Sequence, residues 1–391
     1  MVKRILWILL DVAVAALILL GVWVINFKIP QKGVRAVNMA EEDTAGNDSG
    51  SSGLQNFGKG GSSSGNRGTG NGSDAGNRGT GNGSDAGTGQ DGTGTSGNVV
   101  NSDGTELTQT RKVLSTQDWH KKFADKFTDT VVSTDTLYTS PNLSIQISHH
   151  QYDSGTVDNT HGGSYAKYGS KISYVLADIY IGDITCFQTA FAQDTYGIGY
   201  TEKLTDMSAR MKSILSVNGD SYSNNRHREN GTIIRNGVIY RSQQSGEETC
   251  VLNWDGTMDI YQPGQLDEQK LIGRGAYQSW IFGPSLLDAN GKANDKFWTW
   301  TYIRRSHPRT AIGYFEPGHY CLLLVDGRQK SSRGMFLDEM AKVFENLGCK
   351  VAYNLDGGHC SFMEMNGKVV NDPYKPEHEI EDGIFITEGS L

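Results

Sequence analysis

Three short apolar runs in this 391-residue chain end on the same kinds of side chain. ILSVNGD stops on Asn218, Gly219 and Asp220, CLLLVDGR on Asp326, Gly327 and Arg328, and VAYNLDGG on Asn354, Asp356, Gly357 and Gly358. Asp-Gly and Asn-Gly after a strand are ordinary turn chemistry, so each one alone reads first as a turn. All three together, with Arg309 just ahead of another strand, supply one rim with carboxylates, amides and guanidinium groups. Carboxyl groups so placed can move protons or attack a carbon, and a guanidinium can grip an anion. Strand ends on a rigid sheet are where such groups are held in register.

The residues after the third run offer two competing chemistries. His359 and Cys360 are adjacent, and neighbours on an extended chain point to opposite faces, so they do not make a nucleophile–base pair. His359 is expected to touch substrate at the rim or to be structural. The carboxylates Asp220, Asp326 and Asp356 have the oxygen chemistry of a calcium ligand set, and a divalent cation is kept as an option without a metal site being assigned.

The elements that must position these groups are strands with a few helices between them. SIQIS, ISYVLADIYI and TIIRNGVIYR alternate as strands, with Asn236-Gly237 as a hairpin turn. TAIGYFEPGHYCLLLVDGR reads as a second hairpin about Glu316-Pro317-Gly318. Ser115 and Asp118 stand at capping-box spacing ahead of Trp119, Phe123 and Phe127, which predicts an amphipathic helix there. A short helix over 205–213 is expected to start on Thr205. A further helix over 334–348 places Phe336, Met340, Val343, Phe344 and Leu347 on one face and stops at Gly348. Many strands with few helices predict an α+β fold with a mixed, mainly antiparallel sheet.

Ahead of this domain the chain changes character twice. Ile5 to Phe27 is a 23-residue apolar run, about 35 Å long as a helix against a bilayer core of about 30 Å. It exceeds the apolar core of a cleaved signal peptide, so residues 1–32 are expected to be an uncleaved single-pass anchor with the carboxy-terminal domain outside the cell. Asp11 lies nearer one end of the run than its centre, where an acid is tolerated or meets another membrane helix. Residues 33–110 are rich in Gly, Ser and Asn and repeat GNRGTGNGSDA at 65–75 and 76–86. Such a tract has too little apolar surface to offset its chain entropy and is expected to be a disordered linker. The globular composition begins near Arg111, giving a domain over 111–391. Net charge is −8 and five cysteines are scattered without a CxxC pair. Nucleic-acid binding, a disulfide framework and a zinc site are therefore not expected.

The motifs SVNGDSY, GTIIRNGVIYR, FGPSLL, PRTAIGY, LLLVDGR, GMFLDEMAKVFENLGCKVAYNLDGG and MNGKVVNDP, in this order, resemble the phosphodiester glycosidase family. The resemblance runs from about Tyr174 to Pro373 and implies hydrolysis of a sugar joined through its anomeric carbon to phosphate, in cell-envelope glycan or exopolysaccharide. It implies Asp356 as the main carboxylate with Asp326 or Asp220 as partner. Asn218, Asn354, Ser361 and His359 would meet substrate. Arg309 or Arg328 would clamp the phosphate, with Gly357 and Gly358 as an anion nest. The His359-Cys360-Ser361 stretch departs from the family's glycine- and serine-rich pattern, so fine specificity is not carried over. A catalytically silent glycan-binding protein and a phosphodiesterase cutting the P–O bond are the alternatives.

Overall fold

The computed structural model describes residues 2–27, 29–31, 33–37, 97–101, 104–224 and 230–389. The described residues of Met1–Val37 and Gly94–Leu391 form one compact unit. The repeated tract expected to be a linker lies outside the described residues. Its two flanks are not linker, however. Val34–Arg35 pairs with Thr195–Tyr196, and Asn98–Val100 and Glu106–Gln109 extend a sheet through Val238–Arg241. The folded domain thus starts ahead of Arg111, on short polar strands whose composition hides them. A helix runs over Val2–Phe27 through the apolar stretch. Among the described residues no helix is long and apolar enough to cross a membrane.

A seven-stranded sheet is the frame. Its order is Val351–Asn354, Arg309–Glu316, His319–Val325, Lys171–Ile181, Leu143–Asp153, Leu137–Thr139 and Val132–Ser133, all antiparallel. The hairpin at its centre turns on Gly318, as the sequence predicts. From Tyr320 to Val325 every residue is buried, because both faces of the strand are covered. One cover is the helix Leu337–Leu347, which lays Met340, Ala341 and Phe344 against Ala311, Cys321, Leu323 and Val325. It ends at Gly348 as expected, but Leu347 is exposed and Phe336 precedes the first turn.

Two other expected helices are shorter or capped differently. Trp119–Lys122 is a single turn capped by Asp118, which accepts from the Lys121 N–H, and it ends before Phe127. Leu204–Met211 begins without a side-chain cap, because the Thr205 hydroxyl and N–H are held by Glu377 instead.

A second sheet has five strands. Its order is Lys368–Val369, Met363–Met365, Leu215–Asn218, Asp382–Ile386 and Phe187–Phe191, again antiparallel. The Asn236-Gly237 hairpin joins Ile233–Arg235 to Val238–Arg241, both turn residues having positive φ. All five cysteines are free, as expected; four are buried and Cys360 is half-buried.

Arg235 ties these pieces together. Fully buried, it donates from Nε to Asp382 Oδ2 at 3.0 Å and pairs with the same oxygen through Nη2. Nη2 also lies 3.6 Å from Asp220 Oδ2, and Nη1 donates to the carbonyls of Ile234 and Ser279. Removing one member of such a set leaves an uncompensated buried charge. Arg235→Met is therefore expected to lower the unfolding free energy by about 3–5 kcal/mol at pH 8, measured by urea titration. The loss should shrink at acid pH, where protonated Asp220 and Asp382 no longer need a cation.

Candidate active site

The site forms where strand ends of the two larger sheets touch. Asn218 closes Leu215–Asn218, and its side chain bridges the sheets. Nδ2 donates to the Asp356 carbonyl at 2.7 Å, and Oδ1 accepts from Thr310 Oγ1 at 2.6 Å. The backbone repeats the link, with Asp356 N–H donating to Gly219 O at 3.1 Å and Gly219 N–H to Asp382 O at 3.0 Å. A Cβ on Gly219 would stand 2.6 Å from Asp382 Oδ1, so only glycine lets the three strands close here.

Several sequence-predicted residues turn out to build the site rather than line it. Asp220 accepts from the N–H groups of Ile281 (2.8 Å) and Phe282 (3.1 Å) and is buried. Burial, with the Asp382 charge second, pushes its carboxyl up to about 7, against the pull of Arg235. Asn354 is fully buried with Nδ2 on Gly283 O at 2.7 Å. Asn218 and Asn354 are therefore beams under the site rather than grips on sugar hydroxyls.

Arg309 is likewise internal. Its Nε donates to Met335 O at 3.1 Å and its Nη2 to the carbonyls of Ile303 and Arg305 at 2.5 Å each. Burial, then the Arg328 charge, pulls it down to about 9. A cation locked on carbonyls does not serve as an outward clamp. The expected anion nest is also closed, because Gly357 N–H donates to Asp356 Oδ1 (2.8 Å) and Gly358 N–H to Pro308 O (3.0 Å).

Arg328 has the opposite setting. It is half-buried, holds φ at +59°, and has no carboxylate paired to it among the described residues. Nη1 donates to Tyr374 Oη (2.6 Å), and Nη2 to Tyr302 Oη (2.8 Å) and His307 Nδ1 (3.2 Å). His307 Nε2 donates to the Tyr302 carbonyl at 2.9 Å, which fixes a neutral ring with Nδ1 as acceptor. Burial, then the Arg309 and Arg328 charges, pulls His307 down to about 3, so it stays neutral. Gly358, at φ +72°, is part of the same surface: a Cβ there would lie 3.1 Å from Arg328 Nη2.

Two half-buried carboxyl groups lie in this part of the domain, one of which, Asp356, feels the Arg328 charge. Burial pushes Asp356 up to about 6, and Arg328 draws it back towards ionisation. Glu381 is pushed up to about 7 by burial, then by the charges of Asp382 and Asp356, although Ser223 donates to it through both its N–H and hydroxyl. Asp326 lies across the turn, where it accepts from Asn371 Nδ2 and the Asp372 N–H at 3.0 Å each; burial pushes it up to about 6. Asp326, Gly358, His359, Ser361 and Tyr374 line one narrow crevice, and the buried Ser361 Oγ has no protein partner. His359 holds the Pro376 carbonyl at 2.7 Å.

Among the described residues no three His, Cys, Asp or Glu side chains are grouped to hold a metal ion. Asp220 in particular has both oxygens on N–H donors, so the suggested calcium set of Asp220, Asp326 and Asp356 does not fit.

Glu381 is the residue that sequence reading missed. It precedes a strand, Asp382–Ile386, whereas the search followed strand ends. The pairing Asn218↔Gly383 brings the start of one strand beside the end of the other, so EDGIFI carried the signal in reverse.

Residues 211–387 match the phosphodiester glycosidase family model. The SPbeta prophage-derived uncharacterized protein YomE of Bacillus subtilis is 32% identical over 193 residues, which is 48% of this chain. The match spans 29% of the Bacillus protein's length. Among solved structures, the zebrafish N-acetylglucosamine-1-phosphodiester alpha-N-acetylglucosaminidase catalytic domain, auto-inhibited by its pro-peptide, aligns at TM-score 0.46 and 18% identity. That alignment covers 63% of this chain and 89% of the zebrafish domain. A hypothetical protein from Synechocystis aligns at TM-score 0.45 and 12% identity, over 66% of this chain and 63% of its own. The segment that matches this family model, residues 211–387, contains Asp220, Arg328, Asp356 and Glu381.

Proposed function

We propose that the domain hydrolyses the bond between the anomeric carbon of a sugar and a phosphodiester oxygen, in a glycan outside the cell. The observation that carries this reading is that Asp356 and Glu381 lie within electrostatic reach of each other, and Asp356 within reach of Arg328, a guanidinium held by Tyr302, Tyr374 and His307 with no carboxylate ion pair among the described residues. Arg328 takes the diester's anionic oxygens. Asp356, closer in effect to Arg328, ionises first and serves as the nucleophile or base at the anomeric carbon. Glu381 holds its proton longer and delivers it to the departing phosphate oxygen. Water supplies the hydroxyl on the sugar, and the phosphate leaves as a monoester. The apolar Val2–Phe27 helix, read as a membrane anchor, and the Gly-rich tract, read as a tether, would hold the domain at the cell surface.

Solvent oxygen traces the bond that breaks. Turnover in ¹⁸O-water should label the sugar and leave the phosphomonoester unlabelled by mass spectrometry; label in phosphate would mean attack at phosphorus.

The carboxyl pair sets the pH response. Activity as kcat/KM should be bell-shaped, rising as Asp356 deprotonates near pH 6 and falling as Glu381 loses its proton near pH 7. The folded pKa of Glu381 lies above its unfolded value, so the native state binds the extra proton and stability falls as pH rises between the two. Glu381→Gln should thus remove the alkaline limb, cut kcat by at least about a hundredfold, and raise Tm at pH 8 but not at pH 4.

The two arginines should separate. Arg328→Lys loses the forked grip and should raise KM for an anionic diester about tenfold or more with Tm nearly unchanged. Arg309→Lys should instead lower Tm, because three buried carbonyls lose their donor. Equal effects on KM would reverse the assignment of the phosphate grip.

A further inference from the structure

Two thiols that the proposed hydrolysis leaves unused meet in the core between the seven-stranded sheet and its covering helix. Cys321 Sγ lies 3.8 Å from Cys349 Sγ, and both residues are at most 2% exposed. The other cysteines have different surroundings. Cys186 Sγ faces Asn142 Nδ2 at 3.1 Å, Cys250 lies on the strand Thr249–Asn253 of another sheet, and Cys360 packs with Met207 and Phe362 in a separate cluster.

The fold builds this meeting from both sides. Cys321 sits on the strand His319–Val325, paired with Gly313 on one flank and Asp178 on the other. A Cβ on Gly313 would stand 2.6 Å from Cys321 Sγ and 2.7 Å from the Phe344 ring, so the glycine leaves the sulfur its room. Cys349 is placed by the end of the helix Leu337–Leu347. Gly348, at φ +83°, lets the chain reverse, and Cys349 N–H donates back to Phe344 O at 3.1 Å. Lys350 N–H then donates to Tyr314 O at 2.8 Å and leads into the strand Val351–Asn354. Hydrogen bonds thus hold the backbone on both sides of the pair. The sulfurs need about 2 Å of approach to reach a bonded separation of about 2.05 Å. The chain between the two cysteines carries Asp326, Arg328 and the whole of that helix.

We infer that Cys321 and Cys349 are a redox pair that closes into a disulfide in an oxidising medium and clamps the helix and the Arg328 turn onto the central strand. The structure holds the reduced form. The oxidant is a small-molecule or protein disulfide, of the kind met outside the cell. One cysteine thiolate attacks a sulfur of that disulfide and releases the first oxidant thiol; the second cysteine then displaces the other. The pair gives up two protons and two electrons, and the oxidant leaves as two thiols. Burial pushes the Cys321 thiol well above its ordinary value and denies the oxidant access. Exchange therefore proceeds while this region is open, and the closed core then shields the bond from reductant. Closing the loop removes freedom from the unfolded chain, which stabilises the fold. The inference stands independently of the hydrolase reading.

The test uses the full chain in detergent, held in a glutathione redox buffer with urea just below the unfolding midpoint and then returned to native buffer. The protein is next unfolded, alkylated with iodoacetamide and digested without reductant. Mass spectrometry should find the Cys321 and Cys349 peptides joined and lighter by two hydrogens than their sum, with Cys186, Cys250 and Cys360 alkylated. Alkylated Cys321 and Cys349, or either one bound to glutathione or to a different cysteine, overturns the pair. The oxidised protein should melt about 5–10 °C above its reduced form. Equal Tm values overturn the clamp. Cys349→Ala should melt at one temperature with or without reductant, and a reductant-dependent Tm in that variant would place the effect elsewhere and overturn the proposal. Should that variant not fold, the peptide map and the two wild-type Tm values decide alone.

Discussion

The buried guanidinium of Arg235 is the constraint from which the site follows. It lies between Asp382, which opens one strand, and Asp220, two residues past the end of the neighbouring strand, and it has no solvent to fall back on. Two carboxylates and one cation leave an excess negative charge, which burial makes costly, and both acids are accordingly raised. The geometry that satisfies Arg235 also sets the backbone. Gly219 N–H reaches Asp382 O on one side, and Gly219 O receives Asp356 N–H on the other. Asp356 is thus fixed directly by its N–H on Gly219 O, and Glu381, next to Asp382, is held further by Ser223 and by the Ala192 N–H on its carbonyl.

That arrangement also explains why the two acids differ. Asp382 adds a negative field to both Asp356 and Glu381, raising each. Arg328 counters it at Asp356. Burial and like charge thus raise both, while at Asp356 the Gly357 N–H and the Cys360 thiol, and then Arg328, pull back towards ionisation. Separation of this kind is how a pair of similar carboxyl groups takes different roles at one pH. The same Arg328 is held by Tyr302, Tyr374 and a neutral His307, with no carboxylate ion pair among the described residues.

What the sequence showed and what it hid follow one physical division. Turns that need particular residues were legible: Asn236-Gly237, Gly318 and Gly348 stand where their positive φ is required. The three Asp-Gly strand ends were also legible as a set, and two of them do meet at the Gly219–Asp356 contact. Whether a polar side chain faces inward or outward was not, because Asn, Asp and Arg suit either when partners exist. Arg309 and Arg328 are indistinguishable as letters, yet one ends on three carbonyls and the other on two phenols at the surface. Glu381 was hidden for a different reason: its importance depends on antiparallel register, a long-range fact that no local pattern holds. The strands at 98–100 and 106–109 were hidden by composition, since short strands at the margin of a sheet need little apolar surface.

Rigidity around a partly open centre is the remaining consequence. Asn218, Asn354, Thr310 and Asp220 form a fully buried polar layer directly beneath Asp356, and nearly every atom in it has a named partner. Such a layer is costly unless complete, and complete it permits one arrangement of the strands above it. The exceptions are informative. Asn354 Oδ1, Ser361 Oγ and Asp382 Oδ1 are buried without a protein partner, and Ser361 and Asp382 are covalently next to the turn and strand that carry the candidate groups. Other buried polar atoms in the described residues also have no protein partner, but of these three Ser361 Oγ belongs to a residue that lines the crevice itself. The stabilisation forgone there is what keeps the site receptive to a polar ligand or water, and the Arg235 cluster beneath is what allows the fold to tolerate it.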